Sequence, residues 1–247
     1  MDLHIKKFIT FFYTFFNRAS KKRGLRALKY HSITDSKPPN DLWTLNKDFF
    51  KEHLEYIKGT KRRVYSLEEI EKDLPADGIV ITFDDGYEDN LIVAAPLLYE
   101  FEMPFSIFII TDYVKKSNNY LNEELLKELS NNPLVSIGSH SKSHAKLTNC
   151  SLGEVKREIR DSKSYLEDLL GERVTAFSYP HGKFNSLVKN EVLEAGYSLA
   201  FTSHYDINQI DQDKLALNTN EIWNSDNLFC FIKKMKGDWD WLKFRNL

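Results

Sequence analysis

The feature that most constrains the fold is a short apolar run that ends in two adjacent carboxylates. Residues 79–83 are rich in β-branched side chains and stop at Asp84, Asp85 and Gly86. This pattern predicts a buried strand followed by a tight turn, the place where barrels and open α/β folds carry their chemistry. Neighbouring side chains on a strand point to opposite faces, so the two acids can share a site only where the strand becomes a turn. Taken alone, the three residues are more typical of a solvated turn.

Size and charge narrow the class of protein. The chain has 247 residues and is 42% hydrophobic, which suits one large globular domain with a substantial core. The formal net charge of −2 gives no case for nucleic-acid binding. The two cysteines, Cys150 and Cys230, are far apart and do not predict a disulfide framework.

Strand-like and helix-like segments alternate along the chain. Strands are predicted at Leu25–Tyr30 and at 79–83, 105–110, 135–138, 174–179 and 198–202. Helices are predicted at 45–58 with Asn46 as its cap, from Ser66, and at 90–101, 122–129, 152–170 and 187–195. This alternation indicates a parallel sheet with crossover helices, and its recurrent length indicates an α/β barrel.

Residues 1–26 form a basic and aromatic segment distinct from 27–247. The apolar stretch 8–16 is too short to span a bilayer, and seven cations surround it: Lys6, Lys7, Arg18, Lys21, Lys22, Arg23 and Arg26. An amphipathic helix on an anionic membrane surface is the first interpretation. A helix packed under the barrel is the second. A signal peptide is the third, because no small-residue cleavage site follows.

A second cluster follows the strand predicted at 135–138. His140 and His144 are four positions apart, and on one helical turn both imidazoles would face the same ion. Two histidines and a carboxylate from elsewhere make a metal site with open positions for water and substrate. The pair alone is weak, but together with Asp84 and Asp85 it predicts a metal centre.

A third cluster, Tyr179, Pro180 and His181, follows the strand predicted at 174–179. A turn here could aim a backbone N–H inward to bind an oxyanion. An ordinary turn is the alternative.

These three clusters, in this order, resemble the motifs of polysaccharide deacetylases, the NodB-homology proteins of carbohydrate esterase family four. The resemblance extends from about Leu25 to Thr202. It implies a distorted (β/α) barrel and metal-dependent removal of acetyl groups from an N-acetylated sugar, with 27–247 as the catalytic domain.

The resemblance also implies roles for individual residues. Asp84 resembles the general base, and Asp85, His140 and His144 resemble the metal ligands. Such a metal polarises the amide carbonyl and acidifies a water, whose proton the base takes. The implied substrate and oxyanion contacts are Tyr179, Pro180 and His181.

The chain departs from the common pattern in two ways. Residues 205–247 contain no histidine, so the usual Leu-x-His motif of the C-terminal region is missing. Tyr30-His31 instead resembles the opening of a circularly permuted branch, which implies His31 as the general acid, with a structural histidine as the alternative. Ser178 stands where many relatives have an arginine that orients the base, and His181, where an aromatic is usual, is a second candidate acid.

The remaining aromatic and histidine residues have weaker signals. His4, His53 and His204 have no supporting motif and are interpreted as surface residues. Trp223 is a candidate for stacking on a sugar. Residues 229–244 suggest a closing helix that packs on the domain.

The leading hypothesis is an N-acetylhexosamine deacetylase that acts on a bacterial surface glycan or its lipid-linked precursor. Zn²⁺ is the expected metal, with Co²⁺, Fe²⁺ or Mn²⁺ also suited to the ligand set. The alternatives are an O-acetyl esterase and a carbohydrate-binding scaffold without turnover. The N-terminal segment predicts a peripheral membrane protein, on the cytoplasmic face rather than the exterior.

Overall fold

The computed structural model describes Thr10 and residues 23–36, 41–114 and 119–246. Its centre is a sheet of seven parallel strands: β1 Leu25–Tyr30, β4 Gly78–Phe83, β5 Phe105–Ile109, β6 Val135–Ser139, β7 Ala176–Ser178, β8 Leu199–Phe201 and β9 Thr219–Glu221. Their order across the sheet is β8-β7-β6-β5-β4-β1-β9. A small parallel pair, β2 Ser32–Thr34 and β3 Thr44–Asn46, lies outside this sheet.

Helices connect the strands on the outside of the sheet. They are α1 Lys47–Thr60, α2 Leu67–Lys72, α3 Ala95–Glu100, α4 Glu123–Ser130, α5 Leu152–Leu170, α6 Ser186–Glu194 and α7 Leu228–Met235. The Asn46 side chain caps α1, and Ser66 and Glu69 form the capping box that the sequence predicts for α2. A π-helical stretch, Asn90–Ala94, precedes α3.

Residues 217–219 bring the two edges of the sheet together. Leu217 donates its N–H to the Ala200 carbonyl at 2.8 Å, and Thr202 donates to the Leu217 carbonyl at 2.9 Å. The next strand, β9, pairs with β1 in parallel register. The sheet is therefore a nearly closed barrel, and the predicted distorted (β/α) barrel is confirmed. Every residue of β1, β4 and β5 is buried, and these strands form part of the core.

The C-terminal region packs on the domain, as the sequence suggests, but it corrects two residue assignments. Trp223 is only 3% exposed and packs edge-on to Trp239, so it is not available to stack on a sugar. His53 is fully buried rather than on the surface, because its ring stacks on Phe231 of α7 at 3.9 Å. Its Nε2 lies 2.8 Å from the Asp226 carbonyl.

Most of the N-terminal segment, including His4, lies outside the described residues. Thr10 is described, and its hydroxyl accepts a hydrogen bond from Trp241 Nε1 at 2.9 Å. Arg26 lies inside β1, is 3% exposed and pairs with Asp240 at 2.6 Å, so it is not one of the cations free to meet a membrane. None of the described helices has the length and apolar character to cross a bilayer.

Candidate active site

The carboxyl ends of four barrel strands bring most of the predicted residues into one cavity. His31 follows β1, Asp84 follows β4, His140 follows β6, and residues 179–182 follow β7. The cavity has a volume of about 370 Å³. Its lining comprises Lys29, His31, Trp43, Asp84, Asp85, His140, His144, His181, Gly182, Ser203 and Glu221. Parallel strands place their carboxyl ends at one edge of a barrel, which is why residues distant in sequence meet here.

The turn after β4 lets both acids face this cavity. Asp84 still follows the strand, since its N–H donates to the Tyr30 carbonyl at 3.0 Å. Asp85 has a φ of 75°, in the left-handed region that aspartate tolerates better than most residues. Gly86 also has a φ of 75°, and a Cβ there would lie 2.8 Å from Ile109 Cδ1. The reversal of the backbone overrides strand alternation and turns Asp85 toward the same cavity as Asp84.

Three side chains form a candidate metal centre. Asp85 Oδ1 lies 3.6 Å from His140 Nε2 and 3.8 Å from His144 Nε2, and the three ligand atoms lie within 4.8 Å of one another. Ligand atoms held tetrahedrally at about 2.0–2.2 Å from one Zn²⁺ lie roughly 3.3–3.6 Å apart. The residues therefore fit a single divalent ion with little movement.

The hydrogen bond of His140 supports this fit. Its Nδ1 lies 2.7 Å from the Ser178 carbonyl, which can only accept, so Nδ1 carries the proton. The lone pair of Nε2 then faces Asp85 and is free to bind an ion. Burial lowers the pKa of His140 to about 4 and that of His144 to about 3, so both rings are neutral at pH 7. Burial, together with Asp84, raises the pKa of Asp85 to about 7, which a divalent cation would oppose.

The two histidines do not lie on a helical turn, which corrects the sequence prediction. Residues 140–146 form a loop in which Ser141 and His144 have φ values of 64° and 63°. Glu158 of α5 fixes this loop, because its carboxylate accepts the backbone N–H of Lys142 at 3.1 Å and of Ser143 at 2.8 Å. The loop, rather than helical periodicity, brings His144 back beside His140.

Asp84 is the second acid of the site and is 2% exposed. Its Oδ2 lies 2.8 Å from Lys29 Nζ and accepts a hydrogen bond from Ser178 Oγ at 3.0 Å. Its Oδ1 is buried and has no hydrogen-bond partner among the described residues. Burial raises the pKa of Asp84, but Lys29, His140 and His31 outweigh it and hold the pKa well below its usual range. Asp84 is therefore an ionised carboxylate with one free oxygen.

His31 follows β1, the strand next to β4, and contacts Trp43. The two ring centroids are 4.5 Å apart, and His31 Nδ1 is buried without a hydrogen-bond partner among the described residues. Burial lowers the pKa of His31 to about 4, against the opposing effect of Asp84. The His31 ring is therefore neutral at pH 7, and its Nδ1, which has no hydrogen-bond partner among the described residues, lies in the same cavity as Asp84.

The third cluster only partly reaches the cavity. The Tyr179 N–H donates to the Phe201 carbonyl at 2.9 Å and its hydroxyl to the Leu215 carbonyl at 3.0 Å. Pro180 has no N–H, so neither residue offers a donor to a substrate, and the expected oxyanion donor near His181 stays a prediction. His181 does line the cavity, with its ring 4.5 Å from that of His144. Its φ of 58° and the close approach of Gly182 to Ser203 shape this wall.

Several residues that line the cavity, among them Lys29 and Trp43, were not predicted from the sequence. Lys29 belongs to a strand in which every residue is buried, and a lysine inside such a strand is a signal of a buried ion pair. Trp43 is 36% exposed at the cavity rim, and the Asp41 carboxylate holds its backbone by accepting its N–H at 2.7 Å. No spacing pattern marks Trp43, because it reaches the cavity through a loop.

The fold and the cavity define a class: a barrel protein with a two-histidine, one-aspartate centre and a separate ionised aspartate at the ends of its strands. Residues 71–200 match the sequence profile of the polysaccharide deacetylase family. The chain belongs to this family.

Similar proteins agree with this placement. The chain is 29% identical over 206 residues to the putative polysaccharide deacetylase YxkH of Bacillus subtilis, covering 81% of this chain and 72% of that protein. It is 24% identical to the poly-beta-1,6-N-acetyl-D-glucosamine N-deacetylase of Staphylococcus epidermidis, covering 74% and 73% of the two chains. The structure of the Streptococcus pyogenes deacetylase PplD in complex with acetate superimposes with a TM-score of 0.78 at 26% identity, over 86% of this chain and 98% of that one.

Proposed function

We propose that this protein is a divalent-metal-dependent hydrolase that removes N-acetyl groups from N-acetylhexosamine residues of a bacterial surface polysaccharide or its lipid-linked precursor. The observation that carries the proposal is the shared cavity: three metal-ligating side chains lie beside an ionised Asp84 and an uncommitted His31. Family membership and the similarity to a poly-N-acetylglucosamine N-deacetylase support the choice of bond and sugar.

Five residues of the cavity have separate tasks in this reaction. A divalent ion held by Asp85, His140 and His144 would polarise the acetamide carbonyl and acidify a water. Asp84 Oδ1 takes the proton from the attacking water, because its other oxygen is already occupied. His31 Nδ1 gives a proton to the nitrogen as the C–N bond breaks, so acetate and a free amine leave. Since the His31 ring is neutral at the start, it takes up the proton that Asp84 removed from the water and passes it to the leaving nitrogen, so both residues return to their starting states.

We assign Zn²⁺ as the metal. Two imidazoles and one carboxylate, with positions left open, are the donor set of catalytic zinc sites, and the same set accepts Co²⁺, Fe²⁺ or Mn²⁺. Trp43 and His181 also line the cavity, and we propose that they contact the sugar or its acetyl group.

Acetate release from N-acetylglucosamine oligomers is the direct test. We expect release that a chelator abolishes and Zn²⁺ restores. Parallel assays on O-acetylated glycans separate the amidase from an O-acetyl esterase. Binding of oligomers without release of acetate from either substrate would favour a carbohydrate-binding scaffold.

We further propose that the part of the predicted segment 1–26 that precedes β1 holds the protein at an anionic membrane surface, on the cytoplasmic face. The cations and aromatic residues of this segment support the proposal, since each cation near anionic headgroups contributes about 1 kcal/mol. Thr10 is hydrogen-bonded to Trp241, so this position of the segment faces the catalytic domain rather than a lipid.

A further inference from the structure

Lys29 is a fully buried ammonium at the floor of the catalytic cavity. It is 1% exposed, and Nζ lies 2.8 Å from Asp84 Oδ2, 3.3 Å from Ser178 Oγ and 3.5 Å from Ser203 Oγ. A lone ammonium in such a place would be strongly unfavourable. Its three neighbours therefore form a built site for one positive charge, and Asp84 is the neighbour that carries the opposite charge.

The register of the barrel strands explains why Lys29 reaches Asp84. Lys29 of β1 is paired with Thr82 of β4. Asp84 is two residues beyond Thr82, and residues two apart on a strand share a face. Both side chains thus point into the barrel. The four-carbon stem of Lys29 spans the two-residue offset between its partner Thr82 and Asp84.

The contacts of Asp84 are divided unequally between its two oxygens. Oδ2 receives both Lys29 Nζ and the Ser178 hydroxyl, whereas Oδ1 is buried without a partner among the described residues. Two donors on one oxygen hold the carboxylate against rotation. Ser178 is itself held in place, since its carbonyl accepts a hydrogen bond from the metal-site His140.

We propose that Lys29, with Ser178, is a positioning residue that fixes the rotation of the Asp84 carboxylate so that Oδ1 is the atom that accepts the proton. This inference rests on the proposed hydrolytic function of the site. Lys29 acts through Asp84 and takes no part in proton transfer. A proton-donating lysine is the competing role, since Lys29 also lines the cavity.

Lys29→Met, Lys29→Arg and Ser178→Ala separate these roles. Lys29→Met keeps the length of the stem and loses the charge, so we expect kcat to fall about 100-fold or more while KM stays within about threefold and one Zn²⁺ remains bound. Lys29→Arg keeps the ion pair but cannot release a proton, so recovery of at least about a tenth of the wild-type kcat supports positioning. A smaller fall, about tenfold, is expected for Ser178→Ala. Full kcat in Lys29→Met would overturn the proposal, as would a folded, Zn²⁺-loaded Lys29→Arg no more active than Lys29→Met.

A thermal double-mutant cycle tests the pairing without activity. Lys29→Met and Asp84→Asn each leave one buried charge alone, so each should lower the melting temperature by several degrees. The double variant should lose clearly less than the sum of the two single losses. Additive losses would overturn the pairing. If the wild-type protein releases no acetate from any glycan, the proposed function fails, yet the cycle still reports on the ion pair.

Discussion

Asp85 Oδ1 and His140 Nε2 lie 3.6 Å apart although their residues follow two different strands, β4 and β6. This distance suits two ligands of one ion, with His144 as the third. We expect the purified, chelator-treated protein to bind one Zn²⁺ and to gain thermal stability with it, by about 2.7 kcal/mol at a free metal concentration 100 times Kd. Isothermal titration and melting curves measure both effects.

The variant His140→Ala removes one ligand and should abolish the metal-dependent rise in melting temperature. His204→Ala is the matched control, because His204 does not line the cavity and should leave the titration unchanged. An unaltered Zn²⁺ isotherm in His140→Ala would refute the assigned centre.

Asp84→Asn tests the general base. The amide keeps the shape of the side chain but cannot take a proton from water, so kcat should fall by about 10² to 10⁴ while Zn²⁺ still binds. Steady-state kinetics with metal analysis of the same sample provides the measurement. Turnover at the wild-type rate would reject the role of Asp84. Loss of the metal would instead assign Asp84 to the centre.

His31→Gln tests the general acid through the leaving group. An amine needs a proton as it departs, whereas a nitrophenolate leaves without one. We therefore expect His31→Gln to lose at least about 100-fold in acetamide cleavage but to hydrolyse 4-nitrophenyl acetate within a few-fold of the wild-type rate. Asp84→Asn should lose both activities. His181→Gln is the control. If it shows the selective loss and His31→Gln does not, the acid is His181.

The sequence predicted the barrel from the alternation of strands and helices, and it predicted the position of the two acids from a local pattern. A β-branched run that stops at Asp84, Asp85 and Gly86 predicts a strand and its turn without tertiary information. His140 and His144 were found by their spacing, although the loop that joins them depends on Glu158 of a distant helix. Lys29 and Trp43 were not predicted. The role of Lys29 follows from strand register and that of Trp43 from a loop, and both are properties of the folded chain.

The N-terminal segment can be tested with vesicles. The full chain should bind vesicles that contain anionic lipid, and a chain without residues 1–22 should not, because that deletion removes the basic cluster. Co-sedimentation at low and high salt measures the effect. The full chain with both Lys21→Glu and Lys22→Glu tests the charge without a deletion. Its binding to vesicles should weaken while its Zn²⁺ binding is unchanged. Equal sedimentation of full and shortened chains would favour a segment packed on the barrel.

The pH dependence of the free energy of unfolding should reveal the lowered pKa of the buried His53. Burial and Lys234 lower its pKa to about 3, against the hydrogen bond to the Asp226 carbonyl. The unfolded residue titrates near 6.5, so below that pH the unfolded chain binds a proton that the folded protein does not. The free energy of unfolding should therefore fall with falling pH from about 6.5 toward 3, by about 1.4 kcal/mol per pH unit from this residue. Urea unfolding between pH 7 and pH 5 measures the slope.

His53→Gln removes the titrating ring and should reduce that slope by about one proton, whatever its effect on stability at pH 7. Phe231→Leu is the matched control. It removes the ring on which His53 stacks but leaves His53 in place, so stability should fall at every pH while the slope persists. Equal slopes in His53→Gln and the wild-type protein would mean that the buried ring already carries its proton in the folded state. Its Nε2 donates to the Asp226 carbonyl in either state, and in the protonated ring Nδ1 would also donate, to the Tyr30 hydroxyl 3.3 Å away.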